Sequence, residues 1–134
     1  MQLTITHPDD WHLHLRDGEA LASVLAHTTA QFARAIVMPN LKPPVVTTTQ
    51  ALAYRERIRA ALPPGMHFTP LLTLYLTDST APEEIRRAQA SNAVIAAKLY
   101  PAGATTNAEN GVTRLEHIQP VLSAMEEAGM PLLV

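Results

Sequence analysis

Apolar residues recur along the chain in two alternating rhythms, short unbroken runs and stretches with helical spacing. Near the start, Leu3-Thr4-Ile5 and residues 11–16 read as strands, separated by a turn around Pro8-Asp9-Asp10. From Gly18 onward Leu21, Val24 and Leu25 fall at i, i+3 and i+4, the stripe of an amphipathic helix. Residues 34–38 form a short apolar run stopped by Pro39-Asn40, which predicts a buried strand. Pro39, Pro43 and Pro44 make 39–46 a rigid loop. Residues 47–49 offer threonine N-caps for a helix whose Ala51, Tyr54, Ile58 and Leu62 share one face, ended by Pro63-Pro64-Gly65.

The same alternation continues. Residues 68–76 predict a strand, and Thr80 stands at capping-box spacing from Glu83, with Pro82 in the first turn of a helix running to about Ser91. Residues 94–100 predict a fourth core strand, followed by a loop of small polar residues at 101–111. Leu115, Ile118, Leu122 and Met125 share a helical face that Pro120 should kink or split. Gly129 ends it, and 130–134 begin a fifth strand.

Apolar strands alternating with amphipathic helices, at about 30 residues per unit, predict a parallel sheet covered by helices. A five-stranded doubly wound sheet fits the count, and so does the first half of a (β/α)8 barrel, which typically needs about 250 residues. The pattern alone leaves both open. The 134 residues suit one domain, with no linker, low-complexity stretch or glycine-rich phosphate loop.

Composition narrows the chemistry. With 16% charged residues and a formal charge of -2 the chain has no basic surface for nucleic acid, and no apolar run is long enough for a membrane span. The N-terminus lacks the basic and apolar regions of a secretory signal, so a cytoplasmic location is expected. The absence of cysteine excludes thiolate ligands and disulfides, leaving histidine, carboxylate or something less usual for any metal.

Two anomalies carry the candidate chemistry. In an extended strand His12, His14 and Arg16 point to one face while Trp11, Leu13 and Leu15 point to the other, toward a helix layer. Neutral imidazoles facing a barrel or sheet interior need partners, and a divalent cation would satisfy both, although two ligands do not complete a zinc site. The plainer reading is a pair of histidines hydrogen-bonded within the sheet. Lys98 lies in the otherwise apolar run 94–100, where desolvation should lower its pKa. Its amine could pair with a buried carboxylate, serve as a Schiff-base nucleophile, or react with CO2 to give a carbamate able to bridge two metals. Asn40 and Tyr100 also fall at strand ends, where βα loops gather reactive groups. In isolation Asn40 could be a turn residue, Arg16 and Asp17 a surface ion pair, and Thr105 and Thr106 mere loop polarity. His7, His27, His67 and His117 have no ligand-like spacing.

Three segments together resemble a family. Residues 10–18 (DWHLHLRDG), 35–40 (AIVMPN) with the Pro43-Pro44 loop, and 97–107 (AKLYPAGATTN) are similar to the dihydroorotases of the compact bacterial, single-function type, within the amidohydrolase superfamily. The resemblance extends over the whole chain in order and spacing. It implies a (β/α)8 barrel and a two-zinc site in which His12 and His14 bind one metal and carbamylated Lys98 bridges both. It further implies that Arg16 and Asn40 hold a substrate carboxylate, and that Thr105 and Thr106 ride on a mobile loop closing over a small-molecule substrate. The implied reaction is the reversible interconversion of N-carbamoyl-L-aspartate and dihydroorotate in pyrimidine biosynthesis, by a homodimer. Hydantoinases and allantoinases share the histidine pair and lysine, but the wording of the first and third segments favours dihydroorotase. The remaining alternatives are a Schiff-base lyase using Lys98 and a non-catalytic amidohydrolase-like binding protein.

In the family, two later histidines and an acid/base aspartate complete the site, and the first of these would follow position 134. The expectation is therefore the N-terminal part of one barrel domain, spanning 1–134 and ending in the fifth strand, inactive without the remainder of the barrel.

Overall fold

The structure is a computed structural model that describes residues 2–134. Five strands, β1 (Asp9–Leu13), β2 (Arg34–Val37), β3 (Thr69–Tyr75), β4 (Val94–Lys98) and β5 (Leu132–Leu133), alternate with helices α1 (Glu19–Thr29), α2 (Thr48–Ala60), α3 (Pro82–Ala90) and α4 (Gln119–Ala128). All strand pairs are parallel, and the spatial order is β1-β2-β3-β4-β5. A doubly wound sheet reverses its strand order part-way. This sheet never reverses, and a sequential parallel order is that of a (β/α)8 barrel. The fold question left open by periodicity is settled by connectivity.

Alternation along the strands separates two faces. Ala35, Val37, Leu72, Leu74, Leu76 and Ala97 join the main apolar core with the helix residues Leu21, Leu25, Ala51, Tyr54, Ile58, Ile85, Val121 and Met125. Ile36, Met38, Thr73, Tyr75, Ala96 and Lys98 are also buried, yet all but Tyr75 stand outside any apolar cluster, and Tyr75 joins a separate small one with Tyr100 and Ala108. The second face is thus the polar, chemistry-bearing one. Register places Tyr75 beside Lys98, and Thr73 donates to the Val37 carbonyl at 2.6 Å, bracing β3 to β2.

Local signals account for most boundaries. Thr47 caps α2, accepting from the Gln50 backbone while the Gln50 side chain accepts from the Thr47 amide, a full capping box. Pro120 splits the last helical pattern into a 3₁₀ turn (Leu115–Ile118) and α4, and Gly129 ends α4 in the left-handed conformation.

Several expectations are corrected. Leu3-Thr4-Ile5 forms no strand. Leu3 and Ile5 are 82% and 74% exposed, and the arm pairs with no strand. Asp9 and Asp10 are not a turn but the start of β1, held in register by the bidentate pair between Asp9 and Arg34. Trp11 is 64% exposed rather than packed under helices, on β1, an outer strand of the sheet. Thr80 does not cap α3. Its hydroxyl accepts from the Thr77 amide, and Ala81 takes the cap position with no side-chain bond. Leu115, on the expected apolar face, is exposed because the 3₁₀ turn rotates it away.

Candidate metal centre

β1 carries the histidine pair. An irregularity in register between Asp10 and Leu13, with the Asp10 carboxylate accepting from the His12 amide at 2.9 Å, shapes the strand there. The His12 and His14 ring centroids lie 5.2 Å apart and tilted by 43°. Half-buried His14 is held below the ordinary imidazole range. Loss of hydration is the main cause, and the nearby charges of Arg16, His12 and Lys98 add to it, while Asn40 pulls the other way. A neutral imidazole offers a lone pair, the form in which histidine binds metal.

Lys98 ends β4 with 5% of its surface exposed. Burial pushes its amine below the usual lysine value, and among the described residues it forms no ion pair or hydrogen bond. The Tyr100 ring lies 5.4 Å from Nζ and stacks on Tyr75 with centroids 5.0 Å apart. Burial, and then Tyr75, pushes the Tyr100 hydroxyl up to about 12, with Arg16 opposing, so it stays protonated.

Asn40, at the start of the loop after β2, is 3% exposed. Its Nδ2 donates to the Thr106 carbonyl at 2.9 Å, and its own carbonyl accepts from Asn107 Nδ2 at 2.9 Å. Arg16 has left the strand for the left-handed region at φ 61°, where its carbonyl accepts from the Tyr54 hydroxyl. Asp17 pairs with Arg57 of α2 through both carboxylate oxygens, not with its neighbour Arg16. The stretch preceding α1 is therefore fixed by α2.

The structure brings His12 to His14, and gathers Arg16, Asn40, Lys98 and Tyr100 around His14 at the C-terminal ends of β1, β2 and β4. Thr106 reaches this group through its carbonyl. Thr105 is exposed, and its carbonyl accepts from the Ala108 amide within the loop. His117 stands apart from this group, beside Asp78 at 3.1 Å. Asn107 and Tyr75, whose hydroxyl donates to the Asn107 carbonyl at 3.3 Å, were not singled out by sequence reasoning. Their partners lie 32 and 67 residues away, so no local spacing signals them. An open cleft of about 510 Å³ between Pro43, Pro44, Thr77, Asp78 and Asn110 includes none of the candidate ligands.

The donor set fits part of a metal centre. Two close imidazoles, a desolvated amine without a counter-ion, and the unpartnered buried Asn40 Oδ1 and Tyr100 hydroxyl all leave polar capacity unfilled. No group of three histidine, aspartate or glutamate side chains forms among the described residues, so these residues alone are fewer than the four ligands zinc usually takes.

No family model matches the chain. It is 66% identical over 132 residues to the dihydroorotase of Azoarcus sp. strain BH72, an alignment covering 98% of this chain and 38% of that protein. Over nearly its whole length the chain is similar to dihydroorotases. It spans about two fifths of the length of the curated relatives it matches, and corresponds to their N-terminal part. Among solved structures, the dihydroorotase of Campylobacter jejuni superposes with a TM-score of 0.85 at 37% identity, covering 94% of this chain and 37% of that one. The Saccharomyces cerevisiae dihydroorotase, in complex with 5-fluoroorotic acid, gives a TM-score of 0.85 at 30% identity, covering 93% and 34%. The curled five-stranded sheet is thus half of a dihydroorotase barrel.

Proposed function

We propose that this chain contributes the first five strands, and one side of the active site, of a zinc-dependent cyclic amidohydrolase interconverting N-carbamoyl-L-aspartate and dihydroorotate. The observation that supports it most is the meeting of His14, Lys98, Arg16 and Asn40 at one end of the sheet. The ligand of the yeast relative, a pyrimidine carboxylic acid, supports the substrate class.

In this reading His12 and His14 hold one zinc through neutral ring nitrogens. The Lys98 amine, whose hold on its proton is weakened by burial, adds in its neutral form to CO2. A nitrogen–carbon bond forms, one proton leaves, and the product is an anion whose two oxygens would serve, with His12 and His14, to hold the metal. When bound, the metal pair supplies Lewis acidity and activates water near neutral pH. Arg16 holds the substrate carboxylate through paired N–H donors, and Asn40 contributes the N–H not used on Thr106. The 101–111 loop, bearing Thr105 and Thr106, covers the substrate and excludes bulk water. Water adds to the ring amide carbon, the carbon–nitrogen bond breaks, and the proton passes through an aspartate outside the described residues.

The test is made on the full-barrel enzyme. Native mass spectrometry should find the added mass of one CO2 on the Lys98 peptide and two zinc ions per subunit, and chelation should abolish hydrolysis of dihydroorotate. Retained hydrolysis after complete zinc removal, or borohydride trapping of substrate on Lys98, would replace this reading with the Schiff-base one.

A further inference from the structure

We propose that Asn107 is a positioning residue. Its amide latches the 101–111 loop to Asn40, so that seating the loop and aiming Asn40 at the substrate carboxylate become one event. The proposal rests on the carboxylate-holding role given to Asn40 above.

The geometry is a crossed pair of bonds. Asn40 Nδ2 donates to the Thr106 carbonyl while Asn107 Nδ2 donates back to the Asn40 carbonyl, each at 2.9 Å. Neighbouring residues on the loop thus hold the side chain and the backbone of the same asparagine. One bond would leave Asn40 free to swing about it, whereas two in opposite senses fix its position and its amide plane together. One N–H of Asn40 is consumed by Thr106, so the direction of the other is set by where the loop sits. When the loop lifts, both restraints go at once.

The loop can move as a unit. Its own bonds, Gly103 amide to Ala108 carbonyl and Ala108 amide to Thr105 carbonyl, close it upon itself. Ala102 and Val112 join its two feet, with Val112 donating in turn to the Tyr100 carbonyl. Beyond those feet, its side-chain attachments to the strands and the Pro-rich loop are the crossed asparagines, Tyr75 on the Asn107 carbonyl, the small buried Ala108 against Tyr75, Tyr100 and Val46, and an exposed Lys42–Glu109 pair at 3.7 Å. So few contacts make a reversible latch. Asn107 holds φ 57°, a left-handed conformation that asparagine and aspartate tolerate and most residues do not. A turn requirement alone would explain that conformation, but not the reach of the amide to Asn40.

Asn107→Asp separates the two roles, because aspartate accepts the backbone conformation but, ionised, cannot donate to a carbonyl. Asn107→Gly removes the amide and keeps the conformation. In the full-barrel enzyme both variants should raise the KM for dihydroorotate and weaken 5-fluoroorotic acid binding roughly three- to tenfold, as expected for one lost hydrogen bond, with kcat within about twofold. Hydrogen exchange of the Asn40 side-chain amide, whose Nδ2 donates to the Thr106 carbonyl across the latch, should quicken by a similar factor in Asn107→Asp, with its melting temperature preserved. Wild-type exchange and affinity in Asn107→Asp would overturn the latch, as would a fall in kcat at unchanged KM. Failure of both variants to fold would overturn it too, since a latch between surface loops does not carry a barrel. If the wild-type enzyme neither hydrolyses dihydroorotate nor binds 5-fluoroorotic acid, the functional reading fails, while the exchange comparison still decides whether Asn107 holds the loop.

Discussion

A lysine that is 5% exposed without an ion-pair partner among the described residues weakens a fold, because its ammonium loses hydration and gains only the Tyr100 ring face in return. Such a residue makes physical sense where the neutral amine is used. Replacing Lys98 by methionine in the full-barrel enzyme should leave the metal-free protein at least as stable in thermal melts. The same variant should lose zinc and reduce turnover by more than the roughly 10–100-fold typical of losing an outer-shell partner of a metal ligand. Lower stability of the metal-free variant would show that Lys98 has a structural partner. Tyr54 is the opposite kind of buried residue. Its hydroxyl donates to the carbonyl of Arg16, which sits in the left-handed region, and the ring packs in the main core. Tyr54→Phe keeps the ring and frees that carbonyl. A loss of about 1 kcal/mol in denaturant unfolding is expected, with a raised KM as Arg16 loosens.

Among the elements, the long loop after β4 is held at its base by two devices that titration and substitution can separate. Asp78, in the β3–α3 loop, accepts from the Thr113 amide at 2.9 Å and from the Thr113 hydroxyl, with His117 Nδ1 at 3.1 Å. The Thr113 bonds above all hold the Asp78 carboxyl below its ordinary value of 3.8. A carboxyl depressed in the folded state stabilises fully above its unfolded pKa and loses that contribution as pH falls through the folded one. Protection of the Thr113 amide should therefore be flat above about pH 5 and collapse below pH 4. Asp78→Asn should remove the acid step, which NMR exchange can read residue by residue. Gly111 is the second device. A Cβ there would stand 2.2 Å from the Tyr100 carbonyl, a backbone atom that cannot turn aside. Gly111→Ala should displace the loop base from β4, costing on the order of 1–3 kcal/mol and raising KM.

At this same scale the sequence was most and least legible. Helix faces such as Ala51, Tyr54 and Ile58 were readable because a 3.6-residue period needs only neighbours to interpret. The Leu3–Ile5 arm and Trp11 were misread because strand pairing and helix cover depend on what lies beside them in space. Thr80 had the spacing of a cap but found a nearer donor in Thr77. The histidine pair and Lys98 were conspicuous as polar residues in apolar runs. The Asn40–Asn107 crossing was invisible, since it joins loops 67 residues apart.

For the molecule as a whole the decisive feature is a parallel sheet with two unpaired edges. β1 and β5 are its outer strands, and exposed Trp11, Leu132 and Val134 lie on or beside them. Open edges of parallel sheets are rare because their amides and carbonyls invite further pairing, and a barrel removes them by closure. The candidate centre is open in the same way, since His12, His14 and Lys98 are fewer ligands than the two zinc ions proposed above would need. Stability and metal binding should then be restored by the same addition. Alone, the 134-residue polypeptide should self-associate in size-exclusion chromatography with light scattering, bind zinc weakly and fail to hydrolyse dihydroorotate. Mixed with the complementary strands and helices of a full-length relative, it should become monodisperse, take up two zinc ions and gain activity. Trp11, the one tryptophan of the chain, reports the event directly. Its fluorescence should shift to the blue as the β1 edge is covered, at the same stoichiometry at which activity appears. Zinc-dependent hydrolysis by the isolated polypeptide, with Trp11 still solvent-exposed, would show that the open sheet is already a sufficient site and that closure serves stability alone.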